Sequence, residues 1–465
     1  MSIPLYTKST PRVRSFSPLL TLLPSFIGDL VRPQENRHLR KLHPTSYLDG
    51  LRGLAAVVVF IYHFTDYNHK YFLPAWGTEG DTLLQLPYIR IIYCGTPMVH
   101  IFFVISGFAL SYRPLKLLHS RNVAASNAVL ASSIFRRPIR LFGPCLVLTF
   151  INVFLCRLDL IHYIQLQPSL SAQISDWASD VFRRIAWPWA WDSLDRPHYN
   201  VHLWTIPIEF THSMLVFLTV LVLSRLRMLL RSIVTVSLML YSLSCAKWAA
   251  FEFLGGVFLA DLHLLRSNNP NLLRITFTGS RALIVIIQVT ILLSIGWIIS
   301  WPQNLSETIP SFVYLREKAP EQFKEKGWQE TFWYALSAFF LVWVSEHLFV
   351  IRRVLESRVA QFSGRISFAF YIIQHPVLNL MMGHLNGSPG TLNDYGIWTG
   401  GSGLKGWIGV ETAAEKMFCW FMGLIIIGSL LVWAADLFTR AIDVQFVKLA
   451  KNIEAKVCVA EAVKA

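Results

Sequence analysis

Apolar residues in this chain gather into long runs. A helix needs about 20 mostly apolar residues to cross roughly 30 Å of hydrocarbon. Ten stretches approach that requirement, opening near Tyr47, Ile91, Pro138, Leu203, Leu229, Trp248, Ala282, Thr331, Ile366 and Met417. The fifth and sixth are the weakest, because residues 229–265 carry Lys247 and Glu252 and must divide into two short spans, so nine or eleven spans fit the same pattern. The pattern predicts an all-α, polytopic integral membrane protein of about ten transmembrane helices. Residues 1–46 form a cytosolic amino-terminal segment, 47–440 the transmembrane domain and 441–465 a cytosolic tail. Ser17–Val31 reads as an interfacial segment, since it is short, contains Pro24 and Asp29, and lacks a small-residue cleavage site. The tail from Arg440 mixes Asp443, Lys448, Lys451, Glu454 and Lys456 with Val and Ala, as an amphipathic helix does.

Composition agrees, with 54% hydrophobic residues and 15% charged in 465, too apolar a balance for a soluble protein of that size. The formal charge of +14 raises the question of nucleic acid. Such a partner needs Lys and Arg gathered on a soluble face, and no soluble domain here is large enough. Topology explains the charge better. With a cytosolic amino terminus, the inward segments hold 27 of the 42 Lys and Arg and the outward loops 12, a positive-inside distribution that puts both termini in the cytosol. Arg52, Arg140 and Arg157 fall inside or at the ends of spans. Loops 67–90, 158–202, 302–330 and 385–416 are outward and long. The sequons at Asn304 and Asn386 both fall in them, although Pro389 makes the second a poor acceptor. Cys145, Cys156, Cys245 and Cys419 lie in spans, Cys458 in the tail and Cys94 near an outward loop, so no disulfide framework is implied. No internal repeat of the kind seen in many transporters is present.

Ionisable groups kept inside a bilayer cost on the order of 2.5–3.5 kcal/mol each and are the first candidates for function. Arg52 and His63 lie eleven residues apart on the first span, three turns plus about 20° and about 16 Å of rise, hence on one face at opposite depths. Arg52 suits an anion near the cytosolic leaflet, and His63 suits a base deeper in. The plainer alternative is that Arg52 snorkels and pairs with Asp49 while His63 caps a helix end. Arg136-Arg-Pro-Ile-Arg140 opens the third span at the level of Arg52. It reads either as a positive-inside flank or, through Arg52, Arg137 and Arg140, as a pocket for the phosphates of a nucleotide-bearing donor. On the fourth span His202 and Glu209 are seven apart and nearly co-facial, with His212 one turn below Glu209. HExxH is absent and these groups spread over three turns, so no metal is expected. Tyr371 and His375 lie at mid-depth on the ninth span, where helix packing is the default reading. Ser106 and Gly107 on the second span read as a close helix approach.

Leu48-Asp-Gly-Leu-Arg-Gly-Leu-Ala-Ala followed by His63 resembles the opening of the acyltransferase-three family of membrane O-acyltransferases. Phe102-Phe-Val-Ile-Ser-Gly-Phe, the Arg137-x-x-Arg140 pair, His202-Leu-Trp-Thr with Glu209, and Gly364-Arg-Ile-Ser with Tyr371 and His375 resemble its later landmarks in order, over roughly 45–440. Trp204-Thr-Ile-Pro-Ile-Glu-Phe resembles the fungal branch, whose members act on small metabolites and on cell-surface sugars. The resemblance implies a ten-helix core, an acyl-coenzyme A donor and transfer to a hydroxyl. The appended hydrolase-like domain of many bacterial relatives is lacking, so direct transfer by one chain is the simpler reading. On this reading His63 is the catalytic base, Glu209 orients or charge-stabilises the site, and His375 is the reserve for the base or for acceptor binding. Arg52, Arg137 and Arg140 hold the donor, and His202, Trp204 and Tyr371 face the acceptor. A small-molecule hydroxyl acceptor, acyl-coenzyme A and the lipid bilayer are the expected partners, in an endomembrane or the plasma membrane. The rival from another class is a transporter using the buried charges as a proton relay, and a third reading is a silent membrane scaffold.

Overall fold

The computed structural model describes residues 24–25, 42–77, 81–187, 189–192, 195–268, 281–382 and 411–458. The chain divides after Lys41, and the second unit, Leu42–Ala465, carries every helix named here. All ten apolar runs fall on helices: α1 (Ser46–Asn68), α2 (Thr96–His119), α3 (Val123–Arg157), α5 (Thr205–Val222), α6 (Met228–Ser244), α7 (Trp248–Asn268), α8 (Arg281–Ile299), α9 (Gln329–His347), α11 (Arg358–Met382) and α12 (Ala413–Phe438). Outside them stand α4 (Leu170–Asp180), α10 (Phe349–Leu355), a tail helix α13 (Val444–Val457) and two short helices in the 302–330 loop. Among the described residues six helices are long and apolar enough to cross a membrane, and a seventh if α9 and α10, bent by 96° at Leu348, count as one span. The protein is thus an all-α, multi-pass membrane protein, with fewer helices of full spanning length than apolar runs. The interfacial segment expected at 17–31, apart from Pro24 and Ser25, and the second sequon lie outside the described residues.

Several helix starts differ from the sequence expectation, the ninth span opening at Arg358 instead of near Ile366. The third span does not open at Pro138. The Asn122 side chain caps α3 by accepting from the Ala125 amide at 2.9 Å, and the helix runs through both Pro138 and Pro144. Prolines persist in membrane helices because neighbouring groups re-satisfy the freed carbonyls. The second span begins at Thr96, with Pro97 in its first turn, after a 3₁₀ stretch over Ile89–Tyr93.

Glycines set the tightest packing. A Cβ on Gly53 would lie 2.3 Å from the Gly364 nitrogen, and one on Gly364 2.3 Å from the Asp49 carbonyl oxygen, so α1 and α11 touch backbone to backbone. Gly107 and Gly256 do the same for α2 and α7, with 2.1 Å to the Phe253 carbonyl oxygen and 2.2 Å to that of Val104. The structural reading of Gly107 therefore holds. α12 closes the bundle through the Trp420 indole, which donates to Thr65 Oγ1 at 2.9 Å. A buried charge network ties α2, α6 and α7. Arg231 donates to both oxygens of Asp261 at 2.9 and 2.7 Å, and His119 Nε2 lies 2.7 Å from Asp261 Oδ1. After α12 a π-helical turn, Thr439–Asp443, leads into α13, whose Phe446 packs on Gly143 and whose Glu454 pairs with Arg136 at 3.2 Å.

Candidate active site

The close glycine contact between α1 and α11 puts the Arg52 guanidinium beside the backbone of α11. Its Nη2 donates to the Gly364 carbonyl and to Asp49 Oδ1, both at 3.0 Å, while its Nε is buried without a partner. The pairing with Asp49 expected of a snorkelling arginine is present, and the same side chain lines a cavity of about 300 Å³. Arg137 and Arg140, one turn apart on α3, enter that cavity from the other side. Arg137 pairs with Glu209 and donates from Nε to Ser213 Oγ at 3.0 Å, and the Ser213 hydroxyl donates in turn to the Glu209 carbonyl at 2.6 Å. Glu209 therefore belongs to the arginine cavity and orients Arg137. Arg140 forms no ion pair at contact distance among the described residues. Tyr371, Thr205 and Ser106 line the same space.

Three imidazoles form a row on the histidine side of the site. The ring of His63 stacks on His202 at 3.7 Å between centroids with a 21° interplanar angle, and His202 meets His375 edge-on at 4.8 Å. They come from α1, the 3₁₀ turn Val201–Trp204 and α11, residues that only the packing of distant helices unites. The turn is pinned from below. Asn200 Nδ2 donates to the Ile372 carbonyl at 2.8 Å, and Tyr371 Oη donates to the His202 carbonyl at 2.8 Å while lying 3.0 Å from Thr205 Oγ1. Tyr371 thus touches both halves of the site, lining the arginine cavity while its hydroxyl bonds the backbone of His202. His63 is half-buried, whereas His202 and His375 are buried.

Buried polar atoms without partners mark this row. The Nδ1 atoms of His202 and His375 have none, nor does either amide atom of the neighbouring Gln374. Native interiors leave few polar groups unpaired, so such a cluster asks for an explanation. Trp204 is half-buried against the core and is not among the residues lining the cavity. His212 is spent elsewhere, its Nδ1 2.8 Å from the Ile208 carbonyl and its ring stacked on Phe253. Among the described residues no group of three or more His, Cys, Asp or Glu is arranged to hold a metal ion.

Several site residues escape a reading by sequence. Ser106, taken there as a packing residue, lines the cavity, as do Arg365 and Asp443. Arg365 stands next to Gly364 in a motif that sequence reading does single out, and that adjacency is the signal that finds it. Around the imidazoles, Tyr163 presents its ring to His375 at 4.2 Å and is held by Asn152 Nδ2 at 3.1 Å. Arg196, exposed on the 158–202 loop, sits near enough for its charge to act on His63 and His202. Nothing in local periodicity marks these last three.

Comparison with known proteins follows the same residues. An acyltransferase-domain family model matches residues 45–435, from the start of α1 to the last turns of α12. The chain is 31% identical over 409 residues to the O-acetyltransferase PaAT-1 of Phomopsis amygdali, covering 81% of this chain and 80% of that protein. It is 24% identical over 394 residues to the acyltransferase clz18 of Cochliobolus lunatus, and 23% identical over 386 residues to an acyltransferase of a Phoma species. Each of these covers 71% of this chain and 81% of the relative. No solved structure matches. The extent of the family match, together with the arginine cavity and imidazole row that its motifs build, means that this chain belongs to the acyltransferase-three family and is a membrane acyltransferase.

Proposed function

We propose that the protein transfers an acyl group from acyl-coenzyme A to a hydroxyl of a small metabolite or sugar, with the donor's phosphates in the arginine cavity and the thioester beside the imidazole row. The observation that carries this reading is the pairing of an anion-suited cavity, lined by Arg52, Arg137 and Arg140, with His63 about 16 Å further along α1 from Arg52. A donor whose anionic head and reactive thioester are joined by a long extended arm matches that separation. Guanidinia suit the head because their planar fork meets phosphate with two parallel hydrogen bonds.

In the reaction the acceptor oxygen attacks the thioester carbonyl carbon while His63 takes its proton. The carbon–sulfur bond then breaks, and the imidazolium returns the proton to the departing sulfur, leaving an ester and the free thiol. His202, stacked on His63, fixes the plane of that ring and, with Trp204, flanks the acceptor. His375 offers an unpartnered Nδ1 to a second acceptor hydroxyl. Tyr371 acts through the His202 carbonyl and Thr205, and Glu209 through Arg137. No residue is asked to form a covalent acyl intermediate.

Radiolabelled acetyl- or longer acyl-coenzyme A, incubated with purified protein and a panel of hydroxyl compounds, should place label on an acceptor. His63→Ala should cut turnover by roughly 10²- to 10⁴-fold, the usual worth of acid–base catalysis, without loss of folded protein. Near-normal turnover in that variant would move the base to His375, and proton-coupled uptake without label transfer would favour a transporter. We propose further that both termini are cytosolic and that the donor enters from that side, on the strength of the 27-to-12 partition of basic residues. A tag at residue 465 should be protected in intact cells and reachable after permeabilisation, and Asn304, exposed at its loop, should accept glycan in a eukaryotic host. A tag reachable on intact cells or in the lumen of sealed microsomes reverses the orientation.

A further inference from the structure

The wall of the arginine cavity is not built from the family domain alone. Asp443 and Val447 line it, and both lie beyond residue 435, where the family match ends. They belong to one stripe. Asp443, Val447, Ala450 and Glu454 recur at helical spacing, and the last two attach the helix, Ala450 fully buried and Glu454 paired with Arg136 at 3.2 Å. Phe446 lies so close over Gly143 that a Cβ there would stand 2.2 Å from its ring. The amphipathic tail is therefore seated on α3, the helix that carries Arg137 and Arg140.

Charge gives this placement a consequence. Arginines outnumber carboxylates four to two among the lining residues, Arg52, Arg137, Arg140 and Arg365 against Glu209 and Asp443. Glu209 is committed to Arg137, whereas Asp443 forms no ion pair at contact distance among the described residues. Its carboxylate instead lies in the field of Arg140 and Arg52. An anion entering the cavity meets the same two guanidinia and the same negative charge. We propose that α13 is part of the binding site and that Asp443 sets the cavity's affinity for phosphate-bearing ligands by competing with them for Arg52 and Arg140. This rests on the reading of the cavity as the donor's phosphate site, and it assigns the tail a role in that site.

The test uses purified full-length protein and two probes, inorganic pyrophosphate and coenzyme A, with Kd measured at low and high salt. Asp443→Asn keeps the shape and removes the charge, so it should tighten pyrophosphate by about threefold to tenfold at low salt and less at high salt. Asp443→Glu should stay near the parent. Val447→Trp, which fills the cavity, should weaken both probes and remains informative if the Asn protein fails to fold. Unchanged or weaker pyrophosphate binding in Asp443→Asn overturns the proposal, as does the absence of pyrophosphate binding in parent and variant alike. Tightened pyrophosphate with no coenzyme A binding at all upholds it while removing coenzyme A as the donor. Coenzyme A binding that is abolished by Arg140→Gln but indifferent to Asp443→Asn does the reverse.

Discussion

Of the arginine–carboxylate pairs inside the helical bundle among the described residues, two differ sharply in what is left over once the pair has formed. Arg231 and Asp261 are saturated, with two parallel hydrogen bonds, a third contact from His119, and side chains only 6% and 4% exposed. Arg137 and Glu209 join through one arm, are 18% and 14% exposed, and face a cavity that holds three further guanidinia. The first pair has no capacity for a ligand and serves to fasten α2, α6 and α7. The second is partly solvated and borders a cavity, so on the proposed reading an anion there would share Arg137 with Glu209. A buried ion pair is thus weak evidence of function by itself, and the cavity beside it makes the difference.

Breaking the saturated pair should produce the largest effect, and on stability. Asp261→Asn leaves Arg231 buried without its counter-charge, at a cost of about 3–5 kcal/mol. Monodisperse yield and thermal-inactivation temperature should fall, with donor KM unchanged in the surviving protein. Arg231→Met combined with Asp261→Leu should recover most of the loss, as apolar replacement of a whole buried pair often does. A KM change with full stability would erase the distinction between the pairs.

The cavity-facing pair should respond in binding. Arg137→Gln removes charge-assisted hydrogen bonds worth about 1.5–3 kcal/mol each, so donor KM should rise roughly tenfold to a hundredfold, with kcat much less affected. Lys should rescue only part, since an ammonium lacks the bidentate fork. A donor truncated to lack its nucleotide should lose little further, and equal sensitivity of both donors would assign Arg137 to topology. The smallest effect is expected next door at Arg136, whose bridge to Glu454 joins side chains about a fifth exposed. Arg136→Gln should cost no more than about 1 kcal/mol in thermal stability and leave KM near the parent value, sharpening the contrast between two adjacent arginines.

The first span was the most legible part of the site. Its glycines, Arg52 and His63 lie in one continuous helix, where eleven residues convert directly into rotation and rise. The same holds for Arg137 and Arg140, one turn apart on α3. Glu209 and Arg137 are each legible in the sequence, but their pairing is not, because they stand on different helices. Trp204, assigned to the acceptor by resemblance, shares the 3₁₀ turn of His202 and is half-buried against the core, outside the arginine cavity. The apolar run marks a start near Pro138, whereas α3 begins fifteen residues earlier at Val123, capped by Asn122.

Composition and the run lengths of apolar residues by themselves determined that this is an all-α membrane protein, since only helices or closed barrels satisfy the backbone within lipid. They also determined which residues on a single helix share a face. Only the tertiary structure decided that residues 63, 202 and 375 meet in one row, that Arg365 and Asp443 join the arginine cavity, and that Asp261 answers Arg231. The physical reason lies in the solvent. In water a helix declares its buried side through an apolar stripe, but lipid is as apolar as a protein core, so a spanning helix is apolar on the side that faces lipid and on the side that faces its neighbours. Which face meets which partner is then settled by small residues and close packing between segments far apart in sequence, as at Gly53 against Gly364, and that information is held by pairs of helices.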